Sequence, residues 1–194
     1  MRNLKTIALL LLPLFGCFAQ LEDQTVTVSH NLCGGATNCM PAALPLGLIQ
    51  VSGSNTFTVN FGDQPLLKPS SDLGPATLNT SLILGGAGVQ LQNPASGDFT
   101  QVQTISLLIA PTSGVDCSSA GSNCTLVADY DKTRDGTANQ SIVLKGHSVD
   151  LIQYISTTTH SVQLQLQATG TGPNNAWNAD VSMDMALKAR ANFP

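Results

Sequence analysis

Three places in the 194-residue chain gather side chains able to do chemistry. The first is Asp129-Tyr130-Asp131-Lys132-Thr133-Arg134-Asp135-Gly136, where three carboxylates fall within eight residues. Calcium needs roughly six to eight oxygens on a sharply turning loop, and Asp129, Asp131 and Asp135, with Thr133 between the last two, could supply some of them. No glutamate follows to close such a site, and Lys132 and Arg134 lie inside the run. The pattern therefore favours a charged hairpin turn, its Asp-Gly step taking positive φ and its basic residues neutralising the acids. Calcium is the sole cofactor candidate.

The second place is a pair of cysteine intervals, Cys33-Gly-Gly-Ala-Thr-Asn-Cys39 and Cys117-Ser-Ser-Ala-Gly-Ser-Asn-Cys124. Each encloses turn-forming residues, so local pairing of Cys33 with Cys39 and of Cys117 with Cys124 is expected in an oxidising compartment. Loops this short contribute about 2–3 kcal/mol each on the chain-entropy estimate and pin loops more than they hold a core. The intervals are too long for a structural zinc site, and there is no Cys-x-x-Cys redox pair. The third place is Trp177, the single tryptophan, set among Asn174, Asn175 and Asn178. Its indole could stack on a glycan, or close the end of a core with its N–H turned to a loop carbonyl; the second is the commoner use.

Little else suggests catalysis. His30, His147 and His160 stand in separate segments, no Gly-x-Ser-x-Gly is present, and the sole glutamate, Glu22, is near the N-terminus. No catalytic residue can be named, and the chain reads as a non-enzyme.

The elements that would position these groups are strands. The composition is 42% apolar and only 10% charged, with a polar remainder of Thr, Ser, Asn, Gln and Gly; exposed helices are usually built from the Glu, Lys and Arg that are scarce here. Period-two alternation recurs in Val26 and Val28, in Phe57, Val59 and Phe61, and in Val89 and Leu91. It is clearest in Ser161 to Ala168 and in Ala179 to Arg190. Those two runs, separated by the turn-rich Thr169 to Asn175, are expected to pair as a hairpin, with glutamines 163, 165 and 167 on a solvated face. In Phe99 to Ala110 the parity slips between Val102 and Ile105, which predicts a β-bulge. Ser148 to Ile155 fits a short helix capped by Ser148 about as well as a strand. The expectation is an all-β fold, an antiparallel β-sandwich of about 8–10 short strands, Ig-like or jelly-roll-like, with at most one short helix. Pro65 to Pro75 suits a surface connection.

At the N-terminus, Arg2 and Lys5 precede an apolar run from Thr6 to Phe15, too short to span a bilayer, and this reads as a secretory signal. Cleavage after Ala19 would leave residues 20–194 as one domain. The stretch Leu14-Phe15-Gly16-Cys17 also resembles a bacterial lipoprotein signal, which would make Cys17 an acylated first residue and a lipid tether. Without Arg2 and Lys5 the chain carries six basic residues against twelve acidic, which opposes nucleic-acid binding. The style is shared by bacterial envelope lipoproteins, adhesin and pilus subunits, and carbohydrate-binding modules. The expected role is structural or adhesive, in a secreted or outer-envelope bacterial protein whose partners are other surface proteins or glycan. The alternative is a ligand-binding module for glycan or lipid. An assembling subunit should show an open edge strand, Gln24 to His30 being the candidate.

Overall fold

A computed structural model describes residues 18–20, 24–37, 39–44, 46, 56–60, 77–111, 115–117, 121–156 and 158–192. The signal segment with Cys17 and the connection Pro65 to Pro75 lie outside the described residues. Nine strands follow in chain order: β1 (Phe18–Gln20), β2 (Gln24–Asn31), β3 (Thr56–Asn60), β4 (Thr77–Leu91), β5 (Val102–Ile109), β6 (Thr125–Asp131), β7 (Ser141–Gly146), β8 (Ser161–Gly170) and β9 (Ala179–Asn192). One four-residue helix, α1 (Lys132–Asp135), follows β6. The fold is all-β, and among the described residues every pairing between strands is antiparallel.

The order of pairing identifies the connectivity. β2 pairs β9, β3 pairs β8, β4 pairs β7 and β5 pairs β6, so the second half of the chain runs back along the first as one long antiparallel ribbon. The ribbon is rolled so that β9 also pairs β4 and β8 also pairs β5. Two four-stranded layers result, β2-β9-β4-β7 and β3-β8-β5-β6, joined at one corner by the short β6–β7 contact of Ala128 with Gly146 and Asp129 with Lys145. This is jelly-roll connectivity and not an Ig-like one.

The inward rows of both layers form one apolar core. Val162, Leu164, Leu166 and Ala168 from β8 meet Ala179, Val181, Met183, Met185 and Leu187 from β9 in that core. This is why the expected hairpin does not form. β8 and β9 are neighbours in sequence, yet each presents its apolar face across the core from the other layer, and residues 171–178 cross between layers. The alternation of β9 holds from Ala179 to Lys188, with β4 flanking one edge of the strand while β1 and β2 share the other.

Two breaks of alternation have local causes. In β5 the register with β8 shifts between Val102 and Thr104, the bulge expected from the parity slip. In β4 the buried positions change from Leu82 and Leu84 to Ala87, Val89 and Leu91, across a shift between Leu84 and Gly86. Residues Leu151–Tyr154 form one 3-10 turn, but its cap is Asp150, whose carboxylate accepts from the Ile152 N–H at 3.1 Å, and not Ser148. The same carboxylate accepts from the Leu82 N–H of β4 at 2.9 Å. Both local disulfides are present, Cys33–Cys39 and Cys117–Cys124.

Candidate functional site

Antiparallel wrapping sends alternate connections to opposite ends of the sandwich. The loops after β2, β4, β6 and β8 share one end, and it is there that the acidic run, Trp177 and the Cys33–Cys39 loop converge. Backbone bonds stitch these loops together: Phe99 N–H to the Asn139 carbonyl at 2.7 Å, Gln92 N–H to Asn178 at 3.0 Å, and Asn175 N–H to Ser96 at 3.1 Å. Lys132 donates its ammonium to the Thr100 carbonyl at 2.7 Å.

The acidic run is an ion-paired turn. Asp131 ends β6 and caps α1, its carboxylate accepting from the Thr133 N–H at 2.8 Å, and Gly136 terminates the turn at φ 86. Tyr130, buried, donates its hydroxyl to the Gly136 carbonyl at 2.6 Å. Arg134 bridges Asp129 at 3.0 Å and Asp135 at 2.6 Å. Lys145 reaches Asp135 at 2.6 Å, and His147 Nε2 lies 2.8 Å from Asp129. The Arg134 hydrogen bonds lead the causes that hold the Asp135 carboxyl well below the usual carboxylate range. For Asp129, burial resists ionisation, yet the hydrogen bonds from Arg134 and His147 outweigh it and the net direction is downward. The Thr133 bonds lower Asp131 in the same way. The carboxylate oxygens that would bind calcium are thus directed at cations and N–H groups, and among the described residues no cluster of three or more His, Cys, Asp or Glu is arranged to hold a metal.

Sequence reasoning paired the run with its internal cations but missed Lys145 and His147. The signal was parity: Ile142 and Leu144 face inward on β7, so Lys145 faces out, and the corner pairing sets it opposite Asp129.

Trp177 is 2% exposed and closes the core end, edge-on to Phe99 with ring centroids 5.9 Å apart. The Cys33–Cys39 loop runs over it, Met40 and Trp177 exchanging backbone bonds at 2.9 and 3.0 Å. The buried ring closes the core, the commoner of the two uses weighed for it, and offers no surface for a glycan to stack on; its N–H, expected to turn to a loop carbonyl, meets no acceptor among the described residues.

The second disulfide loop lies at the opposite end and corrects another expectation. Gln165, placed by alternation on a wet face, is 3% exposed. Its side-chain oxygen accepts from the Cys117 N–H at 2.8 Å and its amide donates to the Val115 carbonyl at 2.5 Å, so it fastens the segment before Cys117 across the outer face of β8.

The remaining candidate is the edge strand. β2 pairs with β9 over all eight of its residues, from Gln24 against Leu187 to Asn31 against Asp180, and takes no other described strand. Val26 and Val28 pack inward against the core, while Thr25, Thr27 and Ser29 are exposed. Its outward side chains quiet the acids of β9: Thr27 donates to Asp184 at 2.7 Å, and Asn31 to Asp180 at 2.6 Å. Gln92 donates to the other oxygen of Asp180.

Comparison with known proteins adds little to this. No family model and no curated protein matches the chain. Among solved structures, a chain of the heated full particle of Israeli acute paralysis virus is similar at 13% identity, covering 89% of this chain and 71% of that one, with a TM-score of 0.30. A chain of the Kashmir bee virus empty particle at acidic pH is similar at 13% identity, covering 95% and 96%, with a TM-score of 0.29. Two disulfides fit an extracellular protein. Among the described residues no helix is long and apolar enough to cross a membrane.

Proposed function

We propose that this is an exported, non-enzymatic structural or adhesive protein that works by joining other proteins through strand addition at β2. The observation that carries this reading is the edge that β2 presents among the described residues, where β9 is its strand partner. An edge strand is a template for pairing, and proteins that must stay apart blunt it with lysine, proline, a bulge or short length. β2 has none of these: it is eight residues long, regularly paired and without Lys, Arg, Asp, Glu or Pro. The glycan- or lipid-binding alternative loses its aromatic anchor with Trp177 buried. Open depressions among the described residues include one of about 440 Å³ beside Arg134, Asp135, Val143 and Lys145, whose charges are already paired, and one of about 310 Å³ over Gly86, Gly88 and Ser182 on the outer face of β4 and β9.

The arrangement also suits a tether. β1 begins one residue after Cys17 and pairs the last turn-free stretch of β9, Phe18 against Asn192 through Gln20 against Arg190. A chain starting at Cys17 keeps that strand whole, while cleavage after Ala19 leaves only Gln20 of it. An envelope location with the stitched loops at the far end of the sandwich follows from the first route.

The test is native electrophoresis of cross-linked surface material from cells making the protein. The wild type should run in assemblies, and the variant Thr25→Lys with Ser29→Lys should leave them while keeping its near-ultraviolet spectrum. A wild type that stays monomeric on the surface would overturn the reading.

A further inference from the structure

We infer that the strand added to β2 is β2 of a second copy of this chain, paired antiparallel about a two-fold axis through Thr27. The inference rests on the assembly reading above and names its partner. Its ground is the near-palindrome Thr25-Val26-Thr27-Val28-Ser29. Pairing about Thr27 sets Thr25 against Ser29 of the second copy, Val26 against Val28, and Thr27 against its own equivalent. Residues opposite one another in an antiparallel pair lie on one face, so the valine pairs continue the core side and the hydroxyl pairs continue the outer side.

The layer β7-β4-β9-β2 then runs through the axis into β2-β9-β4-β7 of the second copy with both faces matched. A slip of one residue would set the core face of one copy against the wet face of the other. The contact is isologous and closed, so it makes a dimer and not a filament.

Charge permits this contact. The chain is acidic, at −4 overall, and two copies can meet closely only along a neutral strip. Among the described residues the nearest carboxylates to the axis are the two Asp184, each one strand back and accepting from its own Thr27 at 2.7 Å. With strands about 4.8 Å apart they stand roughly 14 Å from each other, beyond the screening length of about 8 Å at physiological salt.

The mature exported protein, purified without detergent, should show a concentration-dependent dimer by sedimentation equilibrium. Thr27→Cys, at the symmetric position, should oxidise to a covalent dimer on its own. Thr25→Cys should do so only when mixed with Ser29→Cys. Thr25→Lys with Ser29→Lys should sediment as a monomer with unchanged Trp177 emission. A monomer at every concentration together with no cross-link at Thr27→Cys would overturn the two-fold pairing. If that monomer still enters surface assemblies that the lysine variant leaves, the partner is another protein and the assembly reading stands. If it enters none, both fall.

Discussion

Gln165 on β8 and Ser182 on β9 hold comparable places, each an outward residue of a strand with neighbours on both edges. Gln165 is 3% exposed and bonded to two backbone groups of the segment that leads into the Cys117–Cys124 disulfide. Ser182 is exposed, with Gly88 on one side and Ser29 on the other. The outer face is covered at Gln165 and open at Ser182, although both strands alternate alike. Alternation reports which residues leave the core. It does not report what comes to lie over them.

The largest effect expected from this comparison belongs to the side both layers share. Met183 and Met185 are 1% and 0% exposed, and truncating either to alanine should cost about 2–5 kcal/mol in denaturant melts, by lost packing and the cavity left behind. Losses below about 1 kcal/mol in both would mean that the two layers do not share one core.

Next comes Gln165→Ala. It removes a buried amide and leaves the Cys117 N–H and the Val115 carbonyl without their partner, so a loss of about 1–3 kcal/mol is expected. Hydrogen exchange at Cys117 should rise with it. A loss as small as that of an exposed substitution would show that the segment before Cys117 is not fastened to β8.

How much of this was legible follows from the range of each signal. The inward faces of β8 and β9, the bulge after Val102 and the two disulfides were readable because each is decided within a few residues. The partner of β9 was not, since a clean alternation fits any antiparallel neighbour and β4 lies about a hundred residues upstream. Gln165 escaped for a related reason: glutamine suits a wet face and a buried bracket equally well, and only the distant Val115 and Cys117 distinguish them. The acidic run fell between these cases. Its turn and positive-φ glycine were local, while Lys145 and His147 arrive from β7 and the segment after it.

A smaller effect is expected at that charged corner, and its sign is set by acid. The carboxyls of Asp129 and Asp135 are held below their ordinary values, so their contribution to stability is present above the unfolded carboxylate value near 4 and is lost as pH falls through the folded values. The contribution of this pair should be full and independent of pH between about pH 5 and 8, and the melting temperature should decline below about pH 4. Asp135→Asn should flatten that acid limb without moving the limb's onset upward. An unchanged limb in the variant would show that Arg134 and Lys145 do not hold Asp135 in solution.

The smallest effect belongs to Ser182→Ala, and it sharpens the comparison most because it mirrors Gln165→Ala. Ser182 lies in an outer row with Ser29 and Gly88, on a strand already fixed by the apolar residues on its other face. Removing one exposed hydroxyl leaves no buried group unpaired and opens no cavity, so the change should stay within about 0.5 kcal/mol. The same should hold at low and high protein concentration, since Ser182 lies on the outer face and not along the edge that β2 offers. A loss above about 1 kcal/mol, equal to that of Gln165→Ala, would mean that something covers this layer too.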